Sequence, residues 1–379
     1  MRRAGALLAC VLLGVSCGGT STSTGSQSPS PSASPSVSTA PSASPSSGPL
    51  TGSYGLLLSA GTLNLISTNG SVAASVPIAT PTLQYCSSAQ DGAVEAPPVS
   101  ASNDNVYFRD GDTNIKMVVP PSSATNVTTV PGGPTTISFF SVSPDDVRIA
   151  VLVEDVSAAN TISERLYVED LHGGGNHADI YTTTVPKGKT ATTLWPMGWH
   201  QGALVLALMP ACTFEPAGVS PLAWHVANAA TAARLATIAS SNCTLSDLPS
   251  SAGVACITPT GSATLYDWTD HVLGAATPPS NASDYQQTAL SPSGASVLFA
   301  TGVGIGAPTP ATGIVKLGAG PYATVSGHFA CLWIDESHLL APDAVIQFPA
   351  QTSGNVQVTA TVTALAASGE CAGRFPGGL

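Results

Sequence analysis

The chain has 379 residues and a formal net charge of −11, and only 9% of its residues are charged, against about a quarter in an ordinary globular protein. This acidic balance disfavours binding to nucleic acid and attachment to anionic lipid through basic residues. Hydrophobic residues make up 43% of the chain, which allows a sizeable core. The 37 glycines and 31 prolines favour turns and short strands over long helices.

The first elements of the chain predict export and anchoring. A basic region at residues 2–3 precedes an apolar run over residues 4–15, which is too short to span a bilayer but has the length of a signal peptide. Small residues then lead to Cys17 in a pattern that resembles the lipobox of bacterial lipoproteins, whose cysteine is lipidated and becomes the new N-terminus. The pattern departs from the family in having Gly14, not leucine, three residues before the cysteine. The alternatives are a box at Cys10 or an ordinary secretory signal.

A low-complexity segment follows. Residues 18–50 are almost entirely Ser, Pro, Thr, Gly and Ala, and such a composition buries no core and stays extended and solvated. We therefore predict a lipoprotein signal peptide over residues 1–16, a lipid-anchored disordered linker over residues 17–51 and a folded domain over residues 52–379. The protein would then sit on the extracytoplasmic face of the cell membrane, held there by its N-terminal lipid.

From residue 52 onward one unit recurs, consisting of an apolar strand, a tight polar turn and a second apolar strand. The copies align on the last turn residue, which is Asn105, Asp146, Gly202, Gly253, Gly294 or Ser337. Asn, Asp and Gly tolerate the positive φ that tight hairpins require. A second hairpin-like segment follows each copy, so four short strands recur every 41 to 56 residues. That period and content are typical of the blades of a β-propeller.

The number of units predicts the number of blades. Six complete units follow a partial one, which starts at Tyr54 and has room for only three strands. This indicates an all-β propeller of seven blades, or of six if the partial unit completes the last one. A β-sandwich array is the rival fold, but its strands would not repeat a four-strand unit so regularly. Residues 355–379 contain more strand-like sequence than the last unit needs, so we expect strands from both chain ends to share one blade.

Two turns connect the chain with known propellers. "SPDD" at residues 143–146 and "SPSG" at residues 291–294 each precede a strand and resemble the S-P-D-G turn of TolB-like and WD40-like propellers. The closing "SGECAGRFPGGL" is similar to the tail of exported actinobacterial propeller lipoproteins. The resemblance covers residues 52–379 and implies the architecture, whereas propellers host many unrelated activities. TolB partners other envelope proteins, but this chain carries a tether that TolB lacks, so that partnership is not transferred.

Six cysteines remain beyond the signal peptide and the lipidation site: Cys86, Cys212, Cys243, Cys256, Cys331 and Cys371. An even number outside the cytoplasm indicates three disulfides, and the absence of a C-x-x-C pair makes zinc a weak interpretation. Cys243 and Cys256 flank a predicted hairpin, so we expect them to be bonded to each other. Cys331 and Cys371, both in the last unit, are the second expected pair. The pairing of the remaining two stays open.

No catalytic constellation is recognisable in the sequence. There is no G-x-S-x-G elbow and no sialidase box, and the histidines are scattered among the units. "HGGGNHAD" at residues 172–179 is predicted to be an exposed hairpin turn, not a metal loop. His200 and the segment 335–337 are predicted to be turn residues. The tryptophans are expected to pack in the core rather than stack on sugars; they are Trp195, Trp199, Trp224, Trp268 and Trp333.

These features favour a binding or scaffold module of the cell envelope, with an envelope protein or glycan as partner. We assign no catalytic residue, metal or cofactor to it. The alternative is an envelope hydrolase or lyase with its site in the central channel of the propeller. That function would require several acids or histidines on the innermost strands, pointing at one axis.

Overall fold

The computed structural model describes residues 50–82, 92–93, 98–188, 191–213, 220–239, 243–246, 248–279, 285–302, 309–349, 358–366 and 368–379. These residues form thirty strands, and twenty-eight of the strands make up seven four-stranded antiparallel sheets. The prediction of an all-β propeller with seven blades is confirmed. No helix in the described part of the chain is long and apolar enough to span a membrane. The predicted signal peptide, Cys17 and nearly all of the predicted linker lie outside the described residues.

The strands follow the predicted units in chain order. Blade 1 contains β1 (Tyr54–Ser59), β2 (Thr62–Ser67) and β3 (Val72–Pro77), and β4 (Gly92–Ala93) follows it. Blade 2 contains β5 (Val99–Ala101), β6 (Val106–Asp110), β7 (Asn114–Val119) and β8 (Ser123–Thr129). Blade 3 contains β9 (Thr136–Val142), β10 (Arg148–Asp155), β11 (Thr161–Asp170) and β12 (Ala178–Pro186). Blade 4 contains β13 (Thr192–His200), β14 (Ala203–Pro210), β16 (Ala223–Asn228) and β17 (Arg234–Ala239). Between β14 and β16, the short strand β15 (Cys212–Thr213) pairs with β4 and not with the blade.

The last three blades have the same order. Blade 5 contains β18 (Thr244–Leu245), β19 (Val254–Ile257), β20 (Ala263–Tyr266) and β21 (Val272–Ala276). Blade 6 contains β22 (Tyr285–Leu290), β23 (Ser296–Thr301), β24 (Ala311–Lys316) and β25 (Gly320–Ser326). Blade 7 contains β26 (Leu332–Trp333), β27 (His338–Ala341), β28 (Ala344–Gln347) and β29 (Thr361–Ala364), and β30 (Glu370–Phe375) ends the chain's strands.

The six aligned turn residues all lie between the first and second strands of blades 2 to 7. Four of them have positive φ values, namely Asp146 (58°), Gly202 (81°), Gly253 (139°) and Gly294 (77°). At Gly253 a Cβ atom would lie 1.8 Å from the carbonyl oxygen of Tyr266, so only glycine fits there. We call the face of the ring that carries these six turns the inner-turn face.

Strands from both chain ends share blade 1, as predicted. Its strand order is β3-β2-β1-β30, so the C-terminal β30 is the innermost strand of the blade. The antiparallel register runs from Tyr54 opposite Phe375 to Leu58 opposite Glu370. Blade 1 therefore has four strands like the other six blades, and β1 presents no unpaired edge at the junction of the chain ends, where such an edge would be an aggregation hazard.

Both disulfides expected from the sequence are present. Cys243 and Cys256 join the first two strands of blade 5, with their Cα atoms 5.4 Å apart. Cys331, next to β26, is bonded to Cys371 of β30 with a Cα separation of 6.2 Å, so this bond ties blade 7 to blade 1. Cys86 lies outside the described residues.

The core consists of apolar layers between neighbouring blades. The five tryptophans are all 4% exposed or less, which confirms their predicted place in the core. The largest layer joins blades 3, 4 and 5, and within it Trp195 stacks on Phe139 with their ring centroids 5.2 Å apart. Such offset aromatic packing stabilises a blade interface beyond the area that it buries.

Candidate functional site

The candidate site is the central channel, which is bordered by inner strands β5, β9, β13, β22, β26 and β30 and by residues 248–250 of blade 5. It contains about 1110 Å³ of empty space, part of it continuous with solvent. Its wall is mainly apolar and includes Leu56, Phe139, Met197, Trp199 and Trp333. A mainly apolar cavity with a few placed polar groups is the usual form of a ligand site.

Two arginines are the charged side chains among the described residues that line the channel. Arg109 of β6 is 4% exposed, and its Nη1 donates to the carbonyl oxygen of Ser138, 2.7 Å away. Arg374 of β30 donates from Nη2 to Ser251 Oγ in blade 5, 3.0 Å away, so this bond crosses the channel. Burial lowers the pKa of Arg374, while the charge of Glu336 opposes that shift. A guanidinium nevertheless stays protonated in proteins, so both groups are cations.

The C-terminal tail, residues 376–379, runs along the inner-turn face past blades 2, 3 and 4 and lines the channel there. It leaves β30 and passes over blade 2, where Gly377 N–H donates to Ser102 O at 2.9 Å. It then reaches blade 4, where Leu379 N–H donates to Trp199 O at 3.2 Å. Together with Arg374, the tail residues Gly377, Gly378 and Leu379 therefore form part of the channel wall at this end.

A β-bulge in β13 makes room for the end of the tail. The pairing of β13 with β14 shifts between Pro196 and Gly198, so Met197 is the extra residue and lines the channel. The Leu379 side chain packs directly against Gly198, where a Cβ atom would lie 2.3 Å from Leu379 Cδ1. Sequence reasoning did not find this contact, because a glycine inside a strand signals a bulge but not the partner that fills it.

The predicted turns at residues 172–177 and 335–337 lie where the sequence placed them, whereas His200 is the last residue of β13; these residues do not meet. Residues 172–177 form the exposed turn between β11 and β12, and His177 Nδ1 lies 2.7 Å from Glu169 Oε2. The carboxylate of Glu169 raises the pKa of His177 by this hydrogen bond. Asp335 accepts from the backbone N–H groups of Ser337 and His338 at 2.8 and 2.9 Å, which is an ordinary turn arrangement. His200, in blade 4, packs against Trp268 with ring centroids 6.4 Å apart.

Within the described part of the chain, no group of three or more His, Cys, Asp or Glu side chains is arranged as a metal site. The lining of the channel that the structure describes likewise contains no Asp, Glu or His. The converging acids or histidines that an enzyme of the predicted alternative class would need are therefore not found among these residues.

No known protein family and no curated protein matches this sequence. Among solved structures, the chain is similar to Sqt1 of Saccharomyces cerevisiae, with 13% identity, 74% of this chain and 88% of that chain covered, and a TM-score of 0.41. It is also similar to a Bacteroides caccae protein, with 11% identity, coverage of 73% and 94%, and a TM-score of 0.42. For an oligogalacturonate lyase from Vibrio parahaemolyticus the identity is 9%, the coverage 70% and 75%, and the TM-score 0.41.

Such distant likenesses say nothing about activity, and the class of the protein follows from its own sheets. Seven four-stranded blades, closed by a strand from the C-terminus, define a seven-bladed β-propeller.

Proposed function

We propose that this protein is a lipid-anchored β-propeller of the bacterial cell envelope, related to TolB-like and WD40-like propellers, which serves as a binding or scaffold module. Residues 17–51 would be the tether that holds the propeller clear of the membrane surface. The observation that carries the binding role is the central channel, a preformed and mainly apolar cavity at the axis of a closed ring. A preformed cavity supports binding because little ordering free energy is lost when a ligand enters it.

The proposed partner is an envelope protein or a glycan. The acidic composition of the chain argues against nucleic acid, because phosphates would be repelled. The hydrolase or lyase alternative has no such support, since the charged side chains of the described lining are Arg109 and Arg374, and both are hydrogen-bonded to the protein itself.

Channel binding can be tested with a photo-cross-linking amino acid placed at Met197 in intact cells. The matched control is the same amino acid at Leu235, which is 61% exposed on the outermost strand of the same blade. We expect a cross-linked product from the Met197 position that the Leu235 position does not give, because only the first lies in the channel. Equal products from both positions, or none from Met197, would contradict binding in the channel.

The anchor can be tested with Cys17→Ala. We expect the variant to leave the membrane fraction and appear in the medium or periplasm, because two acyl chains on one residue are what make anchoring stable. Its melting temperature should equal that of the wild type, since the folded domain begins beyond the tether. Cys10→Ala is the matched control and should remain in the membrane fraction. A Cys17→Ala protein that is processed and still fractionates with membranes would refute the lipidation site.

A further inference from the structure

Two glutamates lie side by side inside blade 3. Glu154 of β10 and Glu164 of β11 are directly opposite each other in the antiparallel register, and they are only 1% and 2% exposed. Side chains of such a cross-strand pair point to the same face of the sheet, with Cβ atoms about 4.5 to 5.5 Å apart. The two carboxyl groups therefore share one buried space, which is closed on the other side by blade 4.

Thr193, in the inner strand of blade 4, faces this space and is 2% exposed. Its hydroxyl is close enough to lower the pKa of both carboxyl groups, yet no hydrogen bond of normal geometry joins it to either of them. The buried oxygen atoms without a hydrogen-bond partner are Glu154 Oε1, Glu154 Oε2, Glu164 Oε1 and Thr193 Oγ1. Orphaned polar atoms of this kind are rare in folded proteins, and a group of them is explained by strain, by a functional role, or by a bound water or ion.

Among the residues that the structure describes, the cationic side chains nearest along these strands are bonded to other groups. Lys187 Nζ donates to the carbonyl oxygen of Val156 at 2.7 Å, and Arg165 Nη1 pairs with Asp179 Oδ1 at 3.2 Å on the exposed side of the blade. Two buried anions with no counter-charge are strongly unfavourable. Burial, followed by the charge of Glu164, raises the pKa of Glu154 to about 8, and burial raises the pKa of Glu164 to about 7.

We propose that Glu154, Glu164 and Thr193 form a binding site for a hard divalent cation, Ca²⁺ or Mg²⁺, between blades 3 and 4. These cations take carboxylate, hydroxyl and water oxygens as ligands, and the orphaned atoms of the site are all oxygens. The cation would neutralise the two carboxylates and give the threonine hydroxyl a partner. Because its ligands come from two blades, it would join them across an interface that is built mainly from apolar side chains.

The experiment uses the full-length protein, first treated with EDTA and then melted at neutral pH with CaCl₂, MgCl₂ or KCl at matched ionic strength. We expect CaCl₂ or MgCl₂ to raise the melting temperature by about 5 °C at a hundredfold excess over Kd, while KCl does not. The double variant Glu154→Gln/Glu164→Gln should lose this response. The control Asp179→Asn, an exposed acid of the same blade, should keep it.

Equilibrium dialysis with CaCl₂ and MgCl₂ on the wild type and on Thr193→Val keeps the proposal testable if the double variant does not fold. We expect about one ion per wild-type chain and weaker binding by Thr193→Val, which has nearly the same shape as threonine but no hydroxyl. Absence of any bound divalent ion would overturn the proposal. The proposal would also be overturned if divalent cations left the melting temperature unchanged and this temperature fell as the pH rose from about 5 to about 8 in the wild type but not in Glu164→Gln. The two carboxyl groups would then share a proton instead of binding a cation.

Discussion

Deletion of residues 370–379 is expected to unfold the whole propeller rather than fray its end. The deletion removes β30, the innermost strand of blade 1, and with it the buried side chains of Ala372 and Phe375. Loss of a buried phenylalanine alone costs about 3 to 5 kcal/mol, out of a total stability of about 5 to 15 kcal/mol for a typical domain. The deletion also removes the backbone pairing of β1 with β30 and the Cys331–Cys371 bond.

Thermal unfolding followed by circular dichroism, together with size-exclusion chromatography, checks this expectation. The matched control is deletion of residues 377–379, which removes the tail from the channel but leaves β30 in place. That control should stay folded and monomeric. If the longer deletion also stayed monomeric with the melting temperature of the wild type, blade 1 would not need its C-terminal strand and the closure would be wrong.

Trp199→Ala is expected to lower the free energy of unfolding by about 3 to 5 kcal/mol. Trp199 is 1% exposed and lies at the interface of blades 3 and 4, where its Nε1–H donates to Ser141 O at 3.3 Å. The guanidinium of Arg148 also lies over its ring, 5.2 Å from the centroid. The truncation therefore leaves a cavity and an uncovered cation at one place, and it removes the hydrogen bond to Ser141 O.

Urea denaturation of Trp199→Ala and Trp199→Phe separates these contributions. Phenylalanine keeps most of the ring packing but lacks the N–H donor. The free energy of unfolding should therefore fall less in Trp199→Phe than in Trp199→Ala, by about 2 kcal/mol or more. Equal losses for the two variants would mean that the hydrogen bond to blade 3, and not the packing of the ring, carries the effect.

The blades could be predicted from the sequence because hairpin chemistry is local. The turn residues at Asp146, Gly202, Gly253 and Gly294 have the positive φ values that such turns require, and they recur at the spacing of a blade. The sharing of blade 1 could be predicted by counting strands, since the N-terminal partial unit has room for only three strands and residues 355–379 contain more strand-like sequence than the last unit needs. Cys243 and Cys256 could be paired because one hairpin brings its own ends together.

The channel contacts could not be predicted, because they join residues that are distant in the chain. Gly198 and Leu379 come into contact only once the ring is closed, and neither residue type indicates in the sequence which residue it will contact. The pairing of Glu154 with Glu164 could not be predicted from the sequence either. Glu154 and Asp155 are adjacent acids in one strand, and only the register of β10 against β11 decides that the first is buried opposite Glu164.

The position of β30 also fixes when the domain can finish folding. The N-terminal strands of the propeller are synthesised first, yet blade 1 obtains its innermost strand from residues 370–375. The ring therefore cannot close, and the Cys331–Cys371 bond cannot form, until β30 has been synthesised. Until then β1 presents an unpaired edge, which is an aggregation hazard for the partly synthesised chain.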